Sequence, residues 1–531
     1  MKRLIALLVV SLLALSPAQG QIHTGEFDFE DQQEGMGFGG GIGAVTIDGQ
    51  LYTALSLRPS FSIGKFGIAL DLPLYFDANG NFRTNEWNNI NDIPDKIYYM
   101  RWGMPNDSLF LKAGALDDVT LGYGLIVNNY SNTMQYPSVR NIGGRFRIKP
   151  GAFAIEGFVA DFKEITGPGL IGARVSYDQF GPFTVGATIA SDVNPYLGLP
   201  DEDDDGFPDR VDDFPKNGNA AVDSDGDGIP DFDDLDRDGD GWADNTDISQ
   251  RLREINEQRD TPLDPDGVNL KPEPFNAKNA NAPTMVEVGA DIALPIIPLT
   301  TDYTKLDIYA QAAMMFHENN SAAAVDTNGW GIGAPGIRFE LTLPVNISMD
   351  IGFEYRIFSK YFVGEFYNRT YDLERASFRS VQTQSGDSLI VRTKAQRLLP
   401  QITSQMQGYY GSLGFNLFNY IRLKAIYQDY KGDLDLRDRS LYAAAQLNTS
   451  VIPKISTAYA YYQKSHILED NFFQTKDEST ILGYRLGYSL GGGVQLVFGY
   501  RETYVDKNGD GEISGDNETI RTTSVETVFN F

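Results

Sequence analysis

The chain has 531 residues and a net charge of −28, with 72 acidic and 44 basic side chains and no cysteine. The acidic balance argues against a nucleic-acid partner, which binds a basic face. Without cysteine, neither disulfides nor thiolate metal sites can form. Beyond the N-terminal residues, no apolar run reaches the roughly 20 residues that a membrane-spanning helix needs.

Residues 1–20 are typical of a secretory signal peptide. Lys2 and Arg3 form a basic start, residues 4–15 are apolar, and residues 18–20 (AQG) provide small residues for cleavage. The alternative is a buried N-terminal helix. We therefore expect the mature chain to lie outside the cytoplasm.

Two regions, 21–198 and 284–531, alternate apolar and polar residues with a period of two. The stretches 336–343, 346–358 and 481–490 each place apolar side chains on one face and charged or polar ones on the other. A soluble sandwich or a membrane barrel would give such strands. Because charges of both signs recur in mid-strand, the pattern favours a barrel with lipid on its apolar face and a wet lumen.

Connector lengths support this interpretation. Short turns alternate with longer polar connectors, as in membrane barrels with tight periplasmic turns and long external loops. The sequence therefore predicts an all-β, transmembrane antiparallel barrel of about 20 strands, within a range of 16–20. The connector 117–140 is less polar than the others. It forms either a constriction or plug in the lumen or one more strand pair.

The chain ends on an amphipathic strand, TTSVETVFNF, in which Phe529 and Phe531 share a face with Val525. A terminal Phe on such a strand resembles the signal by which bacterial outer-membrane barrels, porin-like proteins among them, are recognised for assembly. The resemblance implies an integral outer-membrane protein in contact with outer-membrane lipid. It also implies the barrel-assembly machinery as a partner, through the strand ending at Phe531. We expect this strand to close the barrel against one near residues 36–45.

Residues 199–250 contain one acidic pattern three times, D-x-D-x-D-G-x-x-D-x-x-D. Ca²⁺ takes six to eight oxygen ligands, alternate Asp residues can aim carboxylates at one point, and Gly permits the tight turn. A solvating acidic linker is the alternative. The sequence predicts these calcium ligands: Asp201, Asp203, Asp205, Asp209, Asp212, Asp223, Asp225, Asp227, Asp231, Asp234, Asp236, Asp238, Asp240, Asp244 and Asp247.

The three copies resemble thrombospondin type 3 repeats at these positions, although they lack the cysteine that often follows. The resemblance implies that calcium folds the repeats into ion-centred turns with little hydrophobic core. Residues 201–247 hold 19 acidic and 3 basic side chains, which is −16 of the net charge of −28. Counting strands back from the C-terminus predicts that the repeats are extracellular.

Residues 251–283 are predicted to form a short helix and a Pro-rich linker that returns to the barrel. The helical spacing of apolar residues covers 247–259.

A second candidate calcium loop is DKNGDGEISGDN, residues 506–517. Its position 12 is Asn517 where an EF-hand loop has Glu, and Glu518 comes one residue late. The segment is either a weaker calcium site or a plain Asn/Gly-rich loop. The ligands of such a site would be Asp506, Asn508, Asp510 and Glu512.

No enzyme activity is predicted. Ser465 and His466 are adjacent, so in a regular strand their side chains would point to opposite faces. Two G-x-G-x-x-G matches, at 35–40 and 331–336, do not open helices. We interpret them as strand residues rather than nucleotide sites.

The leading hypothesis is a porin-like channel or uptake barrel for small polar solutes, with a calcium-stiffened surface insertion. The alternative is a surface adhesion or assembly protein, in which the barrel only anchors the repeats and an extracellular protein binds them. A clear lumen favours the channel, whereas an occluded lumen favours the anchor.

Overall fold

A computed structural model of the chain describes residues 35–530 apart from internal gaps. The predicted signal peptide, the predicted helix over 247–259, the ligands Asp240, Asp244 and Asp247, and Phe531 lie outside the described residues. The gaps are 48–49, 85–86, 88–92, 106, 135–140, 164–166, 240–269, 272, 281–282, 298–302, 319–326, 345, 384–385, 419, 449–453, 469–472, 493 and 516.

The described residues are mostly strands, with two short α-helices, α1 (Tyr371–Glu374) and α2 (Lys394–Leu398). The strands are β1 (Gly35–Ile47), β2 (Gln50–Ile63), β3 (Phe66–Leu70), β4 (Leu72–Phe76), β5 (Ile97–Trp102), β6 (Leu109–Gly114), β7 (Asp117–Val119), β8 (Tyr130–Ser131), β9 (Gly143–Ile148), β10 (Phe153–Val159), β11 (Leu170–Phe180), β12 (Phe183–Asp192), β13 (Thr284–Ile297), β14 (Thr304–Glu318), β15 (Gly329–Leu343), β16 (Ile347–Phe358), β17 (Ala376–Thr383), β18 (Gly386–Thr393), β19 (Met406–Leu417), β20 (Ile421–Lys431), β21 (Arg437–Asn448), β22 (Ile455–Ile467), β23 (Ile481–Gly491), β24 (Val494–Tyr504) and β25 (Thr519–Asn530).

Within the described residues, 21 of these strands form one closed antiparallel barrel with 20 strand positions. β3 and β4 share one position, because both pair with β2. The first and last strands close the ring, with Gly39 opposite Asn530 and Ile42 opposite Thr527. The predicted fold class, strand count and closing pair are confirmed. β7–β8 and β17–β18 form two separate two-stranded sheets.

The barrel wall has an apolar outer face. On β14, Ile308, Met314 and Phe316 are 39–50% exposed, whereas Asp307 and Gln311 on the opposite face are buried. Closure pairs the strand edges through the backbone, and an apolar outer face is what the hydrocarbon of a membrane requires. The fold is therefore that of an integral outer-membrane β-barrel. Among the described residues, no helix is long and apolar enough to cross a membrane.

The alternation of short and long connectors has exceptions. β1 and β2 pair up to Ile47 opposite Gln50, so only two residues join these strands, at the end of the barrel with the long connectors. Five residues, 432–436, join β20 to β21 at the same end. Both G-x-G-x-x-G matches lie in strands, β1 and β15, as predicted.

The structure divides into two compact units. The barrel and its inner segments form the larger unit. The smaller unit consists of Gly198–Ala282 and Phe378–Val391, and its described residues are mostly turns. Within it, the guanidinium of Arg210 lies 4.7 Å from the ring centroid of Phe378, so the two parts of the chain pack together.

Candidate functional site

The inward face of the barrel is polar, and most of its acidic groups have a cation beside them. The Arg174 guanidinium (β11) forms two hydrogen bonds with the Asp291 carboxylate (β13), one of them at 2.9 Å. On β14, Lys305 Nζ and an Asp307 oxygen are 2.7 Å apart. Charge pairs in mid-strand are what the alternation predicted for a wet lumen.

Residues 115–134, here called the first inner segment, leave the wall after β6 and enter the lumen. The ring of Tyr123 stacks on Tyr309 of β14, with the centroids 3.7 Å apart. Farther along, Asn128 Nδ2 donates to Tyr410 Oη of β19 at 3.1 Å. Tyr309 and Tyr410 both belong to the inward face, so the first inner segment crosses the lumen.

This placement decides between the two predictions for residues 117–140. The described part is an inward-folded constriction, and the further barrel strand pair is wrong. β7 and β8 pair with each other and with no barrel strand in the part of the chain that the structure describes. The segment stays inside because its apolar residues are covered there: Leu121, Leu125, Ile126, Val127 and Tyr130 are each at most 3% exposed.

The chain between β16 and β19, without the hairpin β17–β18, forms the second inner segment. It is tied to the wall through buried ion pairs. Arg356 of β16 is fully buried and donates to Glu365 of this segment at 2.8 Å. Arg375 donates to Asp192 of β12 at 2.8 Å. Because buried charges are costly without a partner, each of these groups depends on the other.

The two inner segments share one apolar cluster. Between them they contribute Leu121, Ile126, Val127, Phe362, Phe366, Tyr367, Leu399 and Ile402. Sequence reasoning placed the apolar residues of the first segment but not those of the second, because they occur without a regular period.

A polar cavity of about 1150 Å³ remains inside the barrel, between the wall and the first inner segment. Its lining is close to charge balance although the chain is strongly acidic. The basic lining residues are Arg145, Arg147, Lys149, Arg174, Lys305, Arg338, Arg369, Arg422 and Lys424, and the acidic ones are Asp117, Asp118, Glu156, Asp178, Asp291, Asp307, Glu340 and Asp350.

In the smaller unit, the first two acidic repeats have the same local hydrogen bonds. The Asp201 carboxylate accepts the Gly206 N–H at 2.9 Å, and the Asp223 carboxylate accepts the Gly228 N–H at 2.9 Å. These bonds bend the chain around position 1 of each repeat. The carboxylate oxygens of positions 1, 3 and 5 then lie within 4.8 Å of one another, in Asp201, Asp203 and Asp205 and in Asp223, Asp225 and Asp227.

The first repeat fits a calcium ion. Ligand oxygens lie roughly 2.3–2.6 Å from Ca²⁺, so two oxygens on one ion are at most about 5 Å apart. Asp203 Oδ2 and Asp212 Oδ2 are buried and make no hydrogen bond among the described residues. Burial raises the pKa of Asp212, and so do the charges of Asp205, Asp203 and Asp201. A cation bound among these groups would contact the oxygens that lack a hydrogen bond and would offset the repulsion between the carboxylates.

Other predicted ligands shape the repeats. The Asp209 and Asp231 carboxylates each accept the N–H at position 2 of their repeat, from Glu202 and Ser224, at 2.7 Å. Asp234 accepts the Asp236 N–H at 2.9 Å. In the third repeat, Asp236 and Asp238 are described, whereas the predicted ligands Asp240, Asp244 and Asp247 are not.

The loop after β24 has the same turn as the repeats. Asp506 accepts the Gly511 N–H at 2.8 Å, and Asp510 accepts the Glu512 N–H at 2.7 Å. Glu518, 1% exposed, accepts the Lys507 N–H at 3.1 Å. It therefore takes the place that Asp209 and Asp231 have in the repeats. Sequence reasoning missed this residue because it looked for a ligand at position 12.

The backbone conformation at position 4 is a second shared feature that sequence reasoning missed. The residue at this position has a positive φ in four loops, at Asp204, Gly226, Gly239 and Gly509. Three of the four residues are Gly, the residue that adopts this conformation without strain. The repeated Gly at position 4 was the available signal.

The side chains of Ser465 and His466 do not point to opposite faces, so that prediction is wrong. The register between β21 and β22 shifts at these residues, and His466 has a φ of 53°. Both side chains are consequently buried on one side of the wall. His466 Nδ1 lies 3.2 Å from Asp438, but its Nε2 is nearest to the amide of Asn368, at 3.4 Å, rather than to a hydroxyl. The arrangement does not resemble a nucleophile beside its base.

No protein-family model matches the sequence, and no curated protein sequence matches it. The chain is similar in structure to CdiB from Acinetobacter baumannii, with a TM-score of 0.26 and 7% identity over 94% of this chain and 60% of that chain. OccK11 (OpdR) from Pseudomonas aeruginosa gives a TM-score of 0.27 and 10% identity, over 96% of this chain and 99% of that chain.

A third similar structure is Wzi from Escherichia coli, with a TM-score of 0.30 and 10% identity over 94% of this chain and 85% of that chain. It is described as an outer-membrane protein involved in group 1 capsule assembly and as a carbohydrate-binding β-barrel. The chain spans less than two thirds of the length of CdiB. The assignment of this chain as a barrel rests on its own strand pairing.

Proposed function

We propose that the chain is an outer-membrane uptake barrel for small polar solutes, with a calcium-stiffened insertion on the outside of the cell. The observation that supports this function best is the polar cavity of about 1150 Å³ inside the barrel. A barrel that served only as an anchor could fill this space with side chains. A cavity lined by paired charges instead offers hydrogen bonds that replace part of the hydration shell of a polar solute.

The first inner segment is the part that would move during uptake. Part of its contact with the far wall is polar, such as Lys424 Nζ to Asp118 at 2.6 Å and Asn128 to Tyr410. Water can replace such contacts at low cost. The second inner segment is held by the buried pairs of Arg356 and Arg375, which water cannot reach, so it would remain in place.

Calcium would act on the insertion. The proposed ligands are the Asp residues of the repeats given above, and the loop after β24 would contribute Asp506, Asn508, Asp510, Glu512 and also Glu518. The ion supplies positive charge that offsets crowded carboxylates and links successive turns. The orphaned oxygens of Asp203 and Asp212 support this proposal.

Conductance in a planar bilayer tests the uptake function. The purified full chain is compared, with and without millimolar calcium, with a variant in which residues 121–127 are replaced by a Gly/Ser linker. We expect stable current steps that are larger in the variant, because the linker removes the constriction. A change in current with calcium would connect the insertion to uptake. A silent bilayer for both proteins would overturn the channel function.

The alternative remains a surface adhesion or assembly protein, and the buried ion pairs of the second inner segment favour it. A permanently fixed inner segment would make the barrel an anchor, and an extracellular protein would bind the repeats. In either function, the C-terminal strand ending at Phe531 would engage the barrel-assembly machinery. Deleting Phe531 should then lower the yield of assembled barrel without changing the properties of the barrels that form.

A further inference from the structure

Three adjacent strands carry basic residues side by side on the inward face. In the barrel register, Arg101 of β5 is opposite Lys112 of β6, and Lys112 is opposite Arg145 of β9. Arg147 follows two residues along β9 and so has the same orientation. The outward neighbours Met100 and Phe146 are 43% and 37% exposed. These four residues, here called the cationic row, therefore face the lumen.

Like charges directly opposite each other on paired strands are unfavourable. Lumen cations such as Arg174, Lys305 and Arg338 pair with acids, but three members of the cationic row do not. Within the described residues, Arg101, Arg145 and Arg147 make no ion pair with a carboxylate. Glu156 is opposite Arg147 in register, but its carboxylate is 3.6 Å from Arg174.

The hydrogen bonds of the row leave donors available. Arg101 donates to the Gly103 carbonyl at 3.1 Å, and Arg147 donates to the Pro105 carbonyl at 3.2 Å. The Nε atoms of Arg101 and Arg147 are buried and have no partner among the described residues. The Arg145 side chain makes neither a hydrogen bond nor an ion pair within the same set of residues, and it lines the polar cavity with Arg147.

We infer that the cationic row is a binding site for the oxyanion group, phosphate or carboxylate, of a dissolved solute. A guanidinium donates two parallel hydrogen bonds to such a group. Neighbouring strands are about 4.8 Å apart, and residues two apart on a strand are separated by about 6.7 Å. One oxyanion can therefore contact two or three members of the row at once. Because the row faces the lumen, the anion arrives dissolved rather than as a lipid headgroup.

This inference deepens the proposed function and rests on it for the route by which solute enters. It specifies the solute as anionic, which the charge balance of the whole cavity does not. Elsewhere in the cavity, cations such as Arg174, Lys305 and Arg338 are already paired with acids. The cationic row gives an anion a place where the neighbouring acids are already paired with other cations.

Titration of the full chain in detergent with inorganic phosphate tests the site without requiring conductance. The variant is Arg145→Gln with Arg147→Gln. The matched control is Lys149→Gln with Lys305→Gln, which also removes two cations from the cavity wall. Both control residues have acidic partners, Asp178 at 3.4 Å and Asp307 at 2.7 Å.

We expect millimolar phosphate to bind the wild type and raise its Tm. Affinity should fall about tenfold or more in the variant, because charge-assisted hydrogen bonds are lost, and should be unchanged in the control. Without phosphate, the single change Arg145→Gln should leave Tm unchanged or raise it, since one repulsion is removed. A purely structural role would lower Tm.

Equal phosphate affinity in wild type and variant, or no phosphate binding to the wild type, would overturn the site. If the double variant does not fold, Arg145→Gln alone answers the question. The Arg145 side chain makes no hydrogen bond among the described residues, so its replacement removes none from the folded protein. A silent bilayer with phosphate binding would reject the channel and retain the site. Conductance without phosphate binding would reject the site and retain the channel.

Discussion

The acidic insertion and the barrel lumen handle crowded charge in opposite ways. In the insertion, carboxylates of positions 1, 3 and 5 converge and have few basic neighbours. In the lumen, most acidic groups are paired, although the buried Glu287 carboxylate is not, and Arg101, Arg145 and Arg147 have no carboxylate partner among the described residues. Under the two proposals above, an external cation would offset the carboxylates of the insertion, whereas the lumen would accept an anion.

This difference follows from where the two regions can find their counter-charges. A barrel wall places residues distant in sequence beside each other, so Arg174 finds Asp291. The repeats make mostly local contacts, and their local sequence is nearly all acidic. Five experiments test the contrast, from the largest expected effect to the smallest.

Removal of one partner of a buried ion pair in the lumen should lower the free energy of unfolding. Arg356→Met leaves the buried Glu354 and Glu365 carboxylates without their cation, which is 3.2 and 2.8 Å away in the wild type. We expect a loss of about 3–5 kcal/mol in the free energy of unfolding, measured by urea titration of the barrel in detergent. Calcium should not restore it.

The control for this change is Arg338→Met, which removes a half-exposed cation beside Asp350 and Glu340. Exposed pairs contribute about 0–1 kcal/mol, so this variant should unfold close to the wild type. Equal losses in the two variants would contradict the distinction between the buried pairs of the inner segment and the solvated pairs of the cavity.

Chelation should loosen the insertion and leave the barrel folded. With sites of roughly 10⁻³ M and calcium at roughly ten times that concentration, each site contributes about 1.4 kcal/mol. Cleavage within residues 201–239 by an added protease should rise about tenfold for each site lost, while the barrel strands remain protected. Limited proteolysis with and without chelator measures this. Equal cleavage would exclude calcium as the organiser of the repeats.

Neighbouring Asp residues in the first repeat should respond differently to the same change. Asp203→Asn removes a converging carboxylate, and we expect calcium affinity to fall about tenfold, because affinity depends on the charge of the ligands. Asp204→Asn should leave affinity nearly unchanged. Asp204 instead pairs with Lys278 at 2.9 Å, and its φ of 58° suits Asn. Calorimetric calcium titration of both variants would show whether position 3 is a ligand.

Acid should weaken calcium binding to the first repeat. Burial raises the pKa of Asp201 and of Asp212, and neighbouring carboxylates add to the rise. Protons therefore compete with calcium as the pH falls toward these raised pKa values. Calcium titrations at about pH 7 and about pH 5 should show lower affinity at the lower pH.

Without calcium, acid should stabilise the first repeat rather than weaken it. A carboxyl whose pKa is raised by folding binds its proton more tightly in the folded chain, so stability from it is lost as the pH rises through the raised pKa. Without calcium, the first repeat should resist protease better near pH 5 than near pH 7. Resistance that rises with pH would contradict the raised pKa values.

The wall of the barrel could be predicted from sequence because alternation is a local signal. The stretch 346–358 became β16 and 481–490 became β23, each within one residue of its predicted ends. The closing strand was also predicted, since its partner near residues 36–45 was the remaining free edge.

The interior could not be predicted in the same way. Asn128 and Tyr410 meet from distant parts of the sequence, and neither lies in a motif. The cationic row was equally hidden, because Arg101, Lys112 and Arg145 become neighbours only through strand register. In the loop after β24, Glu518 could have been found by comparing that loop with the repeats rather than with an EF-hand.

The pairing of β1 with β25 has a consequence for how the protein is made. These strands are at opposite ends of the chain, with Gly39 beside Asn530. Until the last strand arrives, the growing sheet has two unpaired edges, which can pair with other chains and aggregate. The inner segments must also be inside the curved sheet before those edges meet. Biogenesis therefore requires the incomplete sheet to be shielded for longer than in a barrel with fewer strands and an empty interior.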